Sequence, residues 1–167
     1  MKNTGAASQQ NHLVESLSSA KSLADAKDYN AAAQVYSDLL KTDLPQVLRG
    51  EVLTNLAAAL CFASHGANGE VALINLDQAR ECLLEALNYR SRQKMPAAWA
   101  VSRANLALVY LARHETAGRD EDMLSAHLAL DGTEEALHEA GDAALQDWAK
   151  AIRDHLLELR DRRSERR

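Results

Sequence analysis

The chain contains few of the residues that cross-link a fold or favour a β-sheet. Its 167 residues include 2 Cys, 2 Pro and 7 Gly, and aromatic residues make up 4%. Two cysteines, Cys61 and Cys82, are too few for a disulfide framework, and we expect both to be reduced. No segment is rich in the Val, Ile, Thr and Tyr that a sheet needs. Ala and Leu dominate instead, with many Glu, Arg and Gln, so the composition predicts an all-α protein.

An excess of positive charge is also missing. The formal net charge is −5, whereas nucleic-acid binding needs a basic footprint, so we expect no nucleic-acid partner. Only the last eight residues, "RDRRSERR", are basic, with five Arg against Asp161 and Glu165. We predict a solvated, disordered tail over 162–167, with contact to an acidic partner or RNA as the alternative.

Long hydrophobic runs are absent as well. No run approaches the roughly 18 apolar residues of a membrane span, and the first twelve residues, "MKNTGAASQQNH", lack the apolar core of a signal peptide. We therefore expect a cytoplasmic protein without membrane contact. Residues 1–8 are predicted to be disordered and residues 9–161 to form one helical domain.

Apolar residues recur at helical spacing through most of the chain and predict seven helices. Pro45, Pro96, Gly118 and Gly141 mark several of their ends, and Gly132 marks a kink or break. The predicted helices cover about 9–26, 31–42, 46–65, 71–92, 96–115, 120–140 and 142–161.

Two short segments repeat at nearly one interval. "NLAAAL" at 55–60 returns as "NLALVY" at 105–110, and "WA" at 99–100 returns at 148–149. Periodicity of this size is typical of stacked helical hairpins, each burying its apolar face on the next. The last predicted helix has one apolar stripe and an otherwise charged surface, as a capping helix requires.

The segment "KDYNAAAQVYSDLLKTDLP" resembles a unit of the tetratricopeptide repeat (TPR) family. Tyr29 matches the aromatic at the turn, Ala32 the small residue where two helices cross, and Tyr36 the aromatic of the second helix. Pro45 matches the terminator. The resemblance implies a right-handed superhelical stack of antiparallel hairpins, about three repeats plus a C-terminal capping helix.

The repeat interval departs from that family's pattern. The usual period is about 34 residues, and here it is near 50. Ala57 and Ala107 match the close-packing small position of the second and third units. We predict that the extra residues lengthen the connections between paired helices, around "HGANGEVALIN" and "RHETAGRDED".

No motif for nucleotide binding, ester hydrolysis or zinc proteolysis is present. Cys61, His65 and Cys82 are the one grouping with the chemistry to hold zinc. Because Cys61 lies in the apolar run "AALCFA", it is interpreted as a small buried hydrophobe. We predict no catalytic residue, no metal and no cofactor.

The resemblance also implies a partner-binding site on the concave face, where the repeated Asn residues would hold a peptide backbone. A hydrogen bond from each Asn to a neighbouring helix is the structural alternative. Lys150 and Arg153 would form one basic end of a groove with an apolar floor. The predicted partner-binding residues are Glu51, Asn55, Ala58, Val101, Asn105, Leu108, Lys150 and Arg153.

Three functions follow for comparison. The first is a non-enzymatic adaptor that binds a peptide or amphipathic helix of a partner protein in the concave groove. The second is a structural module that associates with itself, for example as a homodimer. The third is an enzyme or small-molecule binder with a pocket between hairpins, for which no residues stand out.

Overall fold

The computed structural model describes residues 4–165, and throughout this range the chain forms only helices and turns. The prediction of an all-α protein is confirmed. The eight helices of this range are α1 Thr4–Asp25, α2 Tyr29–Leu40, α3 Gln46–Ser64, α4 Gly69–Tyr89, α5 Pro96–Ala117, α6 Asp120–Leu130, α7 Thr133–Glu139 and α8 Ala143–Ser164.

The terminal helices extend into both segments for which disorder was predicted. Because α1 begins at Thr4 and α8 ends at Ser164, helical backbone covers part of 1–8 and part of 162–167. A formed helix adds one backbone hydrogen bond for each further residue, so it can continue past its apolar stripe. Residues 1–3 and 166–167 lie outside the described range.

Side-chain caps fix where several helices begin. The Asp28 carboxylate accepts from the Ala31 amide at 3.3 Å, and the Asn68 side chain accepts from the Val71 amide at 3.0 Å. Such caps satisfy amide groups that have no partner within the first helical turn. The cap at Asn68 starts α4 at Gly69, two residues earlier than the apolar pattern predicts.

Gly132 divides the predicted sixth helix into α6 and α7. Its φ of +75° lies in the left-handed region, which is unfavourable for residues that have a Cβ atom. A Cβ at this position would also lie 2.8 Å from Nη1 of Arg92. The predicted break is therefore present, and glycine fits it for two reasons.

The helices pack mainly against their neighbours in the chain. From α1 to α6 each helix packs against the next, and α7 packs against α5 and α8. Longer-range packing joins α3 to α5, and α8 to both α5 and α6. Ala57 and Ala107 are fully buried, as a close-packing position requires.

The extra residues of the repeat lengthen helices and not connections, so our prediction about the connections is wrong. Only residues 65–68 separate α3 from α4, and only 118–119 separate α5 from α6. Helices α3, α4 and α5 are 19, 21 and 22 residues long. The physical reason is that "EVALIN" and "RHETA" contain no proline or glycine, so the helices continue through them.

An ion cluster ties α4 and α5 to the shorter helix α6. Arg113 of α5 lies 3.0 Å from the Asp77 carboxylate of α4 and 3.6 Å from the Asp122 carboxylate of α6. Arg113 and Asp122 are each only 5% exposed. Since an unpaired buried charge is costly, the cluster makes the relative position of α4, α5 and α6 depend on these three residues.

Among the described helices, α3 alone is long and apolar enough to cross a membrane by length and composition. Of its apolar stretch, 56% is buried inside the fold. A core helix that packs against neighbours on several sides has the same composition.

Candidate functional site

The structure contains an open groove between its first three helices. The groove has a volume of about 540 Å³. Helix α1 provides one wall, α3 provides the other, and Tyr36 of α2 lies at the floor, where it is only 5% exposed. We call this the α1–α3 groove; its lining residues are Leu17, Ser18, Lys21, Ala24, Tyr36, Glu51 and Asn55.

The polar side chains of the α1–α3 groove have no partners within the fold. Within residues 4–165, Lys21, Glu51 and Asn55 form no hydrogen bond and no ion pair through their side chains. Lys21 and Glu51 are exposed and Asn55 is half-buried, so an occupant of the groove would meet all three groups without displacing a bond of the fold. They are free to bind a ligand.

Asn55 carries the chemistry best suited to a peptide backbone. Its side chain is half-buried on α3. A carboxamide has both an acceptor oxygen and an N–H donor, so it can pair with the N–H and the C=O of a peptide at once. Leu17 and Ala24 supply apolar surface beside it.

Negative charge surrounds the floor of the groove. Burial raises the pKa of the Tyr36 hydroxyl, and the nearby Glu51 and Asp25 carboxylates raise it further. Tyr36 therefore stays protonated at neutral pH and offers an O–H donor to an occupant. The Lys21 ammonium is the positive group among the lining residues.

The structure brings together only two of the eight predicted partner-binding residues. Glu51 and Asn55 line the α1–α3 groove, and Ala58 lies half-buried further along α3. Val101 and Leu108 of α5 are also half-buried, and Leu108 packs against the main core.

Two of the polar residues predicted for the third unit and the capping helix, Asn105 and Arg153, are already paired within the fold. The Asn105 side chain donates to the Val101 carbonyl at 3.0 Å, within its own helix and not to the neighbouring one. Arg153 forms an ion pair with Glu134 at 3.0 Å. Lys150 is exposed on α8. The predicted basic end of the groove is thus partly neutralised at Arg153.

The sequence prediction did not include Lys21 and Ser18 because it aligned only the two "NL" segments. Ala20 of α1 is fully buried, as Ala57 is, and can be matched to it as a small residue of a first helix. Matching these alanines places Ser18 at the position of Asn55 and Lys21 at the position of Ala58. The amphipathic pattern around Ala20 was the available signal.

Burial disfavours the thiolate form of both cysteines. Burial raises the pKa of Cys61 to about 11, with Glu115 adding to the effect, and burial raises the pKa of Cys82 to about 11 as well. Both thiols are therefore protonated at neutral pH, whereas nucleophiles and metal ligands are thiolates. In the described part of the chain, no three His, Cys, Asp or Glu side chains are grouped as a metal site.

A smaller groove lies between α4, α5 and α6. Its volume is about 200 Å³, and Leu84, Leu106, Tyr110 and Leu128 are among its lining residues. Leu84 and Leu128 are 47% and 59% exposed. This groove is more apolar than the α1–α3 groove, but Arg103, which also lines it, donates a hydrogen bond to the Leu128 carbonyl.

Comparison with protein families, curated proteins and solved structures finds no match to this chain. The resemblance to tetratricopeptide repeats therefore stays a prediction. The fold and the groove define an all-α chain of successively packed helices, in which an open, polar-lined groove lies between the first three helices.

Proposed function

We propose that this protein is a non-enzymatic adaptor that binds a peptide segment of a partner protein in the α1–α3 groove. The observation that carries the proposal is the unpaired Asn55 carboxamide in an open groove with apolar surface beside it. Helical-repeat proteins use such surfaces for peptide recognition, and no cofactor or metal is required.

The proposal includes a TPR-like, right-handed superhelical arrangement of the hairpins and a location in the cytoplasm. Packing of each helix on its chain neighbours and the fully buried Ala57 and Ala107 support the arrangement. The free cysteines, Cys61 and Cys82, suit a reducing compartment.

The test is selection of binders from a displayed random peptide library on the immobilised full chain. Affinities of selected peptides are then measured by fluorescence anisotropy with Asn55→Ala and with the matched control Asn105→Ala. We expect Asn55→Ala to weaken binding at least tenfold, about 1.4 kcal/mol, because two hydrogen bonds to the backbone are lost. The control should bind normally, since the Asn105 side chain is already bonded to Val101.

Two results would reject peptide binding in the α1–α3 groove. One is that no peptide is enriched over a denatured-protein surface. The other is that both Asn variants bind equally well, which would move the site away from the α1–α3 groove. Melting temperatures of both variants show that any loss of binding is not a loss of fold.

A second candidate function is self-association through the groove between α4 and α6. Three exposed leucines favour it: Leu84, Leu124 and Leu128 are 47%, 63% and 59% exposed. Neighbouring exposed apolar side chains are typical of protein contacts. Light scattering measures the oligomeric state of the wild type and of Leu124→Glu/Leu128→Glu. A wild-type dimer that dissociates in the variant supports self-association, and a monomeric wild type excludes it.

A further inference from the structure

Two aromatic rings are in contact where α2 begins and α3 approaches its end. The ring centroids of Tyr29 and Phe62 are 5.0 Å apart and the ring planes are inclined by only 20°, so the rings are stacked. His65 approaches Phe62 edge-on, with the ring centroids 6.2 Å apart. We call Tyr29 and Phe62 the aromatic pair.

Phe62 stays exposed to solvent despite these contacts. Its exposed fraction is 50%. The chain has one Phe, two Trp and four Tyr, and the Trp and Tyr residues are all buried or half-buried. An exposed ring leaves apolar surface in water, and aromatic rings are enriched where proteins contact their partners. The exposed part of Phe62 is therefore available to an occupant.

The aromatic pair lies on the side of α3 that lines the α1–α3 groove. Asn55 and Phe62 are seven residues apart on this one helix, which is about two turns, so their side chains leave α3 on the same face. At about 1.5 Å per residue, Phe62 lies roughly 10 Å beyond Asn55. Ala58 lies between them and adds only a methyl group. The face of α3 thus continues from the groove to the exposed ring.

The α1 wall of the groove leads to the same place. Ala24 lines the groove, and its carbonyl accepts from the Lys27 amide at 2.9 Å, in the turn that leads to Tyr29. The stacking of Tyr29 on Phe62 then joins this turn to α3. The aromatic pair therefore bounds the α1–α3 groove at the end where α1 meets α2.

We infer that the aromatic pair is an apolar subsite of the α1–α3 groove, which takes a large apolar or aromatic side chain of the bound peptide. The occupant is a peptide whose backbone pairs with the Asn55 carboxamide and whose apolar side chain lies roughly 10 Å away, on Phe62. Burial of the exposed ring and an offset-stacked or edge-to-face contact would both contribute to affinity. This inference rests on the proposed peptide-binding function.

The test combines substitutions in the full chain with substitutions in the peptide. Peptides selected on the wild type are expected to share one large apolar or aromatic residue. Replacing that residue by Ala should weaken binding to the wild type by about tenfold or more, because a buried apolar contact is lost. The same peptide change should weaken binding to Phe62→Ala by less than about threefold, since its contact is already absent. Fluorescence anisotropy measures all four affinities.

The matched control removes another exposed apolar side chain. Ile74→Ala truncates a residue of α4 that is 60% exposed and does not line the α1–α3 groove. In this variant the peptide change should keep its full effect. Phe62→Leu retains an apolar surface and should bind the selected peptide more tightly than Phe62→Ala does. If Phe62→Ala melts well below the wild type, Phe62→Gln replaces it, because a longer side chain still covers Tyr29, and the expectation is the same.

The failures of the subsite and of the adaptor function are distinguishable. If Asn55→Ala weakens the peptides, but their apolar residue contributes equally on the wild type and on Phe62→Ala, the subsite is wrong and the adaptor function stands. If Phe62→Ala removes that contribution while Asn55→Ala has no effect, the subsite stands and the proposed role of Asn55 fails. Selected peptides without a shared apolar residue, or an equal effect of Ile74→Ala, would overturn the inference.

Discussion

Asn55 and Asn105 occupy the same place in the repeated sequence, yet their surroundings differ. The Asn55 side chain lines an open groove without a partner in the fold, whereas the Asn105 side chain donates to the carbonyl of Val101 in its own helix. Lys21 and Arg153 differ in the same way, since Lys21 is unpaired and Arg153 is held by Glu134 at 3.0 Å.

This difference extends to the two regions as a whole. In the α1–α3 region the polar groups of the groove face outward, and packing comes from apolar residues such as Ala20 and Tyr36. In the region of α4 to α8, charged groups lie inside and join helices, above all Arg113 and Asp122. The comparison teaches that one repeated position can leave its side chain without a partner in one unit and bonded within its own helix in another.

The largest expected effect is on the buried ion cluster. Arg113→Met leaves the Asp122 carboxylate buried beside Asp77 without a cation, and should lower the free energy of unfolding by about 3–5 kcal/mol. Urea denaturation measures the change. The control Lys21→Met, in the groove, should change the same quantity by no more than about 0.5 kcal/mol.

If Arg113→Met and Lys21→Met lower the free energy of unfolding equally, the charged groups of the two regions do not differ in their contribution to stability. A third variant sharpens the test: Arg113→Met/Asp122→Leu removes the buried carboxylate together with its partner. It should recover part of the stability that Arg113→Met loses.

A second, smaller effect is expected where α3 meets α5. The Ser102 hydroxyl pairs with the Thr54 hydroxyl at 2.9 Å and accepts from the Arg90 guanidinium at 3.2 Å. Ser102→Ala removes one hydrogen bond from each group, while Thr54 still donates to the Gly50 carbonyl and Arg90 to the Ala98 carbonyl. Because one of the lost bonds involves a charged guanidinium, the variant should cost roughly 1–3 kcal/mol in urea denaturation. Peptide affinity should be unchanged. If the variant is fully folded and still binds peptide more weakly, the hydrogen bonds of Ser102 are coupled to the α1–α3 groove.

Gly132→Ala should cost about 1–2 kcal/mol, because alanine is strained at a φ of +75°. The Cβ contact with Arg92 adds to the strain, although that side chain can move. Gly118→Ala is the control, since its φ is +68° but a Cβ there meets nothing within 4 Å. Thermal melts of the two variants separate the cost of the Arg92 contact from the cost of the backbone conformation. A larger drop in melting temperature for Gly118→Ala would contradict the proposed role of Arg92.

The smallest effect is expected for Asn105→Ala. Its hydrogen bond goes to a carbonyl of the same helix, so its loss should change the unfolding free energy by no more than about 0.5 kcal/mol. A larger loss, seen in urea denaturation, would show that the Asn105 side chain stabilises the packing of α5.

Local signals explain why the helical content and most helix ends were predictable. Proline and glycine limit a helix through their own backbone conformation, so the effects of Pro45, Pro96 and Gly141 could be predicted locally. The same holds for Gly132, which separates α6 from α7. The same reasoning failed at the start of α4, because the Asn68 cap extends a helix beyond its apolar pattern.

The candidate site was predictable only in part because it depends on packing between distant segments. Glu51 and Asn55 could be found from the repeated sequence. That Lys21 lines the same groove depends on which side of α1 packs against α2. The amphipathic pattern around Ala20 indicates that side, but the alignment of the repeats did not include α1. The pairing of Arg113 with Asp77 joins residues on different helices, so no local pattern indicates it.

The position of α1 in the packing order has a consequence for local unfolding. Helix α1 provides one wall of the groove, yet its main packing is against α2 alone, while α3 packs against α2, α4 and α5. The end helix of such a chain is the unit that opens at the lowest free energy, so its amide hydrogens should exchange fastest among the described helices. An occupant that contacts both walls of the α1–α3 groove would hold α1 closed, and slower amide exchange in α1 would report binding without any change of shape.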